Sequence, residues 1–289
     1  MPKRPVDNRM TPAFRILAPE GDPGPVVYDS PHSGSIYPDD FAPVIDRMVL
    51  RQAEDAHVEE LFAHVTTLGA PLLHALFPRS YIDPNRAQTD IDTGMIDGWT
   101  GPAEPSSKTL ERGAGLIWRR MRGAGDLYDR LLTAGEVRCR IETCWRPYHE
   151  ALAALIDAAH ACHGVSVHID CHSMPAMGDA ESEDGPVARP DFIVGDRDGT
   201  TCEPALTDLI ATHLRGEGFH VTINDPYKGV ELVRRYADPA AGRHSVQLEI
   251  NRRLFMDEET LVKSEGFLAI EAVLMRLNRA ILAYAASRC

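Results

Sequence analysis

The chain has 289 residues, 44% of them apolar and 25% charged, which is enough for a sizeable globular core and excludes a disordered or fibrous protein. A formal net charge of −13 argues against non-specific nucleic-acid binding, which needs an excess of Lys and Arg to displace counterions. It leaves an anionic small ligand open, because a local cluster of arginines overrides the global sign. No apolar run follows Lys3 and Arg4, so no signal peptide is expected, and no stretch approaches the roughly 20 apolar residues that span a bilayer. The six cysteines (139, 144, 162, 171, 202 and 289) have no paired spacing. Reduced thiols in a cytoplasmic protein, with no membrane contact, are the expectation.

In chain order, residues 26–28 form a short apolar run that ends at Asp29-Ser30-Pro31, a strand passing into a loop. Val58, Leu61, Phe62, Val65 and Leu68 mark one helical face over 55–68, closed by Gly69. Residues 71–77 and 81–83 read as extended, and 84–124 as long loops without a firm period. Tyr148, Leu152, Leu155, Ile156 and Ala159 mark a second helix ending near Gly164. Strands are expected at 165–170, 192–194, 219–223 and 245–250, with helices at 204–214 and 258–285. Strands separated by such helices predict an α/β mixed sheet with helices on both faces. A single catalytic domain over 1–289 is expected. It would carry an N-terminal extension at 1–24, a loop-rich insertion over the site at 87–140 and a flexible loop at 178–190.

Three segments put polar residues at strand ends, where α/β sheets build their sites. In Ser-Pro-His-Ser-Gly (30–34), His32 sits on a constrained loop. In the run 167–173, strand alternation puts His168, Asp170 and His172 on one face, which reads as a metal ligand with a carboxylate that orients it. Glu249 interrupts an apolar strand at 247–252, either paired with an arginine for structure or placed for acid–base work. A catalytic zinc needs three protein ligands. His32 and His172 supply two, and the adjacent Glu54 and Asp55 are the best-placed acids for the third. Arg86, Arg146, Arg234 and Arg235 stand beside Asn or Tyr in turns, as carboxylate clamps or as surface ion-pair members. No His-Glu-x-x-His helix, Gly-x-Ser-x-Gly elbow or phosphate-binding Gly-rich loop is present.

Together these segments resemble the N-formylglutamate amidohydrolase family. The motifs are Ser-Pro-His-Ser-Gly (30–34), Glu-Asp-Ala-His-Val-Glu-Glu-Leu-Phe (54–62), Asp-Pro-Asn-Arg (83–86), Arg-Pro-Tyr-His (146–149), Ile-Asp-Cys-His-Ser-Met-Pro (169–175), Asn-Asp-Pro-Tyr-Lys-Gly (224–229) and Gln-Leu-Glu-Ile-Asn-Arg (247–252). The ordered set, covering most of the chain, carries the resemblance. It implies a zinc-exopeptidase-like (phosphorylase/hydrolase-like) α/β fold related to carboxypeptidases and aspartoacylases, zinc on His32, Asp55 and His172, and Glu249 as general base. It further implies Asn85 and Arg86 on a substrate carboxylate. One departure stands out: carboxypeptidase-like sites draw two ligands from a His-x-x-Glu run, and here Ser35 follows His32 by three.

The resulting expectation is zinc-dependent hydrolysis of N-formyl-L-glutamate, a step of histidine degradation, with Asn85, Arg86, Arg146, Arg234 and Arg235 around a small anionic substrate. Another N-acyl amino acid hydrolase or a carboxypeptidase-like enzyme is the alternative within enzymes. A non-catalytic acidic-ligand binding protein would have no need of Glu249. A cysteine hydrolase using Cys171 conflicts with strand alternation, which turns Cys171 away from His172.

Overall fold

The structure is a computed structural model and describes residues 12–182 and 184–289. Seven strands form the main sheet: β1 (Phe14–Leu17), β2 (Val26–Ser30), β3 (Leu72–Ala75), β4 (Ser166–Met174), β5 (Phe192–Gly195), β6 (Val221–Ile223) and β7 (Arg243–Asn251), in spatial order β1-β3-β2-β4-β7-β5-β6. β3, β2, β4 and β7 run parallel, β1 pairs antiparallel with β3, and β5 antiparallel with β7. The sheet is therefore mixed, as the sequence predicts. The carboxyl ends of its four parallel strands open on one side of the molecule.

Alternation along the strands divides the sheet into two unlike faces. Val26 and Tyr28, Val167, Ile169 and Cys171, and Val246, Leu248 and Ile250 enter one apolar core. Helices α1 (Val58–Phe62), α4 (Pro204–Gly216) and α5 (Phe267–Ala286) close it. The residues between them, Asp29, His168, Asp170, His172, Ser245, Gln247 and Glu249, give the other face a buried polar strip. Helix α3 (Arg146–His163) and the segment 87–133 cover that second face. Among the described residues, no helix is long and apolar enough to cross a membrane.

The boundaries differ from the sequence reading in four places. Within 1–24, Phe14–Leu17 form an edge strand of the main sheet; residues 1–11 lie outside the described residues. Residues 55–68 are not one helix, because His57 adopts φ 68° ahead of α1. After α1, the Thr66 and Thr67 hydroxyls donate back to the Ala63 and His64 carbonyls, and 63–68 tightens to a 3₁₀ turn that Gly69 closes at φ 84°. The 87–140 insertion ends in helix α2 (Ala134–Arg140), started by a Thr133–Glu136 capping box and joined to α3 through a π-helical turn at Ile141–Trp145. The last helix begins at Phe267, nine residues later than read. The Asp257 carboxylate accepts the Glu259 and Thr260 N–H groups and holds the intervening chain in a turn.

Gly34 fixes the loop that carries His32. A Cβ there would lie 2.2 Å from the Phe77 carbonyl oxygen and 2.6 Å from the Leu76 carbonyl carbon, both backbone atoms that cannot swing aside. Gly34→Ala is therefore expected to lose about 3 kcal/mol of stability, the upper range for overpacking, read as a lowered midpoint in urea. An unchanged midpoint would show that the two loops separate freely.

Candidate metal centre and cleft

The carboxyl ends of β2, β3, β4 and β7 line a cleft of about 1040 Å³ whose walls include His32, Asp55, Asn85, Arg86, His172 and Glu249. His32 leaves β2 on the Ser-Pro-His-Ser-Gly loop, and its carbonyl accepts the Asp55 N–H at 2.9 Å, which sets Asp55 opposite it. His172 projects from β4 directly beside Glu249 on β7. His32, Asp55 and His172 are all buried, with one ligand atom from each lying within 4.8 Å of the others.

Each imidazole lies against a buried carboxylate: His32 Nε2 lies 2.7 Å from Asp83 Oδ1, and His172 Nε2 lies 2.8 Å from Asp170 Oδ1. Each Nδ1 faces Asp55 Oδ2, at 3.5 Å from His32 and 3.0 Å from His172. For His32, an Nε2–H donated to Asp83 leaves Nδ1 as the lone-pair nitrogen, the tautomer that a metal ligand requires. His32 Nδ1 is buried and has no hydrogen-bond partner. Such an atom is expensive unless something satisfies it. Two imidazole nitrogens and a carboxylate oxygen around one point fit a divalent cation of the zinc type.

The electrostatics agree. Burial pushes the His172 imidazole down, yet Asp170 and Asp55 outweigh it and hold it well above the usual histidine range. A field that favours a proton there also favours a cation in its place. Burial raises Asp55 and Asp83, but the His172 and His32 imidazoles beside Asp55, and the charges of His32, Arg79 and Arg86 around Asp83, hold both well below the usual carboxylate range. Glu249 goes the other way. Burial lifts it to about 7, only partly offset by His172.

The structure places His32, Asp55, His172, Glu249 and Arg86 together in the cleft, with Arg234 on its wall. Glu54 is not beside the imidazoles; it accepts from the Tyr37 hydroxyl and from Arg51. Asn85 lines the cleft with its amide used internally. Its Oδ1 accepts the Leu232 N–H, and its Nδ2 approaches Asp170 Oδ2 and the His172 ring. Arg146 and Arg235 are corrections: neither lines the cleft. Arg146 pairs with Glu142 on the exposed side of α3, and Arg235 pairs with Glu231 over the Trp145 ring. What Arg-Pro-Tyr-His contributes is its last two residues. The Tyr148 hydroxyl donates to Asp29, and His149 Nε2 donates to the Pro84 carbonyl, bracing the 83–86 loop. His168 shares the polar face but pairs with Asp29 and Ser245, away from Asp55.

The sequence reading missed Arg79, Asp83 and Arg252. Arg79 reaches Asp83 and lies over Trp118, and Arg252 donates to Asp55 Oδ1 at 3.0 Å. Asp83 and Arg252 stand inside motifs already singled out, so their place in the motif was the available signal. Arg79 has none in the sequence.

A metal-ready cluster at the carboxyl ends of parallel strands, in a cleft walled by guanidinium groups, makes this an α/β protein with a candidate metal centre. A family model described as N-formylglutamate amidohydrolase matches residues 24–256. An N-formylglutamate deformylase from Pseudomonas putida is 30% identical over 241 residues, 81% of this chain and 83% of that protein. The crystal structure of an N-formylglutamate amidohydrolase from Ralstonia eutropha JMP134 superposes with a TM-score of 0.89 at 43% identity, covering 96% of this chain and 99% of that one. An Agrobacterium tumefaciens protein at 19% identity and a TM-score of 0.67, over 95% of this chain and 96% of that one, shares the fold. The chain belongs to the N-formylglutamate amidohydrolase family.

If Asp83 and Asp170 orient the imidazoles around a divalent cation, replacing either with Asn weakens the affinity for that cation about 10–100-fold, the usual cost of losing such a partner. Competitive titration against a chelating dye measures this. Native affinity in Asp83→Asn would remove Asp83 from the centre.

Proposed function

We propose that this chain is a zinc-dependent hydrolase that cleaves N-formyl-L-glutamate to formate and L-glutamate. The observation that carries this is the meeting of His32, Asp55 and His172 with Glu249 in an arginine-walled cleft, in a chain of this family. Zinc would be held by His32 Nδ1, Asp55 and His172 Nδ1, and when bound it supplies a Lewis acid that polarises the formyl oxygen and acidifies a water. Glu249 takes a proton from the attacking water and returns it to the amide nitrogen, which departs as the amine. Arg86 and Arg234 meet the carboxylates of the substrate. Arg234 shares its guanidinium with Glu231, so that contact is a competition. A cytoplasmic setting in histidine degradation goes with this substrate. The cleft is larger than so small a ligand fills, which favours a bulkier N-acyl acidic amino acid as the second reading.

Two experiments test the assignment. Glu249→Gln keeps shape but removes the base, so turnover is expected to fall by about 10²–10⁴ with zinc content unchanged. In the native enzyme, activity rises with pH as Glu249 loses its proton. That acid limb has its midpoint below about 7, because a bound cation opposes the effect of burial. The acid limb should vanish in the variant. Loss of zinc along with activity would make Glu249 a ligand instead.

Charge recognition is tested by formate release over a panel of N-formyl amino acids. Arg86→Ala is expected to lose about two decades in kcat/KM on the dianionic substrate, and Arg86→Lys should not restore it. Equal turnover of N-formylglutamate and its uncharged diamide by the native enzyme would refute the clamp.

A further inference from the structure

Gln247 lies two residues before Glu249 on β7, so both side chains emerge on the same face of the sheet, and both line the cleft. The Gln247 side chain is 3% exposed. Its Nε2 donates to Glu249 Oε1 at 2.9 Å. An ionised carboxylate only accepts hydrogen bonds, so this contact fixes which end of the amide faces Glu249. Gln247 Oε1 is left over, buried and without a partner. No strand pairing explains the vacancy, because Gln247 stands in register with Asp170 on one side and Gly195 on the other. Asp170 has no hydrogen to give, and Gly195 has no side chain.

A buried carbonyl oxygen without a donor is costly, and in a binding cleft the missing donor is supplied by the ligand. Resting on the hydrolase reading above, we infer that Gln247 is a substrate-positioning residue whose Oε1 accepts the N–H of the scissile amide while its Nε2 orients Glu249. The two halves of its side chain then act on the same nitrogen. Glu249 delivers a proton to that nitrogen as the C–N bond breaks, and the existing N–H is held by Gln247, so the lone pair that receives the proton faces Glu249. Gln247 also gives the site a reason to prefer amides. An ester has no N–H to offer, so the acceptor stays unsatisfied when an ester is bound.

The test compares N-formylglutamate with its formate ester analogue, in which oxygen replaces the amide N–H, using zinc-loaded native enzyme and Gln247→Met. Methionine keeps length and volume but offers neither strong acceptor nor donor. The amide-to-ester ratio of kcat/KM is expected to fall by about 10–100-fold in the variant, the range for one buried hydrogen bond. Ester turnover in the same preparation reports that the site is folded. Gln247→Glu keeps an acceptor and loses the donor to Glu249, so it should slow both substrates together while retaining the native ratio. That second variant carries the test where methionine disturbs the strand. Equal losses on amide and ester in Gln247→Met, or a collapsed ratio in Gln247→Glu, overturn the inference and leave the hydrolase reading standing. A native protein that releases no formate from any N-formyl amino acid overturns both.

Discussion

The centre of this molecule is organised by two imidazoles that each lie against a buried carboxylate. His32 Nε2 is hydrogen-bonded to Asp83, and His172 Nε2 lies 2.8 Å from Asp170. Everything else in the site follows from where that leaves the two Nδ1 atoms. They converge on Asp55, which is drawn in by its own backbone bond to the His32 carbonyl and by Arg252. His32, Asp55, His172 and Arg252 come from four different parts of the chain. The strand ends must therefore be held in register, and that is the mechanical role of the apolar face behind them, where Val167, Ile169 and Cys171 alternate with His168, Asp170 and His172.

Burying so many carboxylates is costly unless cations accompany them. Asp55, Asp83, Asp170 and Glu249 are all nearly inaccessible to water, and Arg79 and Arg252 lie among them. Asp83 and Asp55 stay ionised because guanidinium and imidazole groups touch them directly. Glu249 has no such contact. Among the described residues its direct hydrogen-bond partner is the neutral amide of Gln247, so burial dominates and its affinity for a proton rises. The site thus separates acids that keep their charge from one acid that can exchange a proton near neutral pH, through contacts set by the fold. The same local gathering of arginines lets a chain of net charge −13 present a cationic wall to an anionic ligand.

What the sequence made legible were residues whose role depends on strand periodicity or on a constrained loop. His172 and Glu249 interrupt strands where only a polar face can take them, and His32 follows a strand into a tight turn with a glycine against backbone. The alternation at 167–172 correctly turned Cys171 into the apolar core and away from His172. Arg146 and Arg235 failed because a motif position was read as a contact. On a helix, neighbours in sequence point about 100° apart, so Tyr148 and His149 turn inward while Arg146 faces solvent. The helix limits at 62–63 and 266–267 depended on side-chain bonds to backbone, from Thr66, Thr67 and Asp257, that hydrophobic periodicity does not register. Arg79 was invisible because its importance comes from the side chains it meets and not from its neighbours in sequence.

The polar strip also contains an array that resembles a nucleophilic triad. Ser245 Oγ lies 2.7 Å from His168 Nδ1, and His168 Nε2 lies 2.8 Å from Asp29 Oδ1, which are hydrogen-bonding distances suited to activating a serine. Accessibility decides against that reading. Ser245 and Asp29 have no exposed surface, and none of the three residues lines the cleft. Burial and the neighbouring Asp170 charge raise the Asp29 carboxyl, while His168 and the Tyr148 hydroxyl act against that rise. The array therefore serves as a polar brace tying β2, β4 and β7 together across the sheet, one layer below the candidate metal ligands. Strand register links it to the site. His168, Asp170 and His172 are successive inward residues of β4, and Ser245, Gln247 and Glu249 are their partners on β7. A shift of β4 against β7 by one residue would break the brace and turn His172 into the apolar core at the same time. The brace and the candidate metal centre thus enforce a single register, and the geometry of the cleft follows from that alignment.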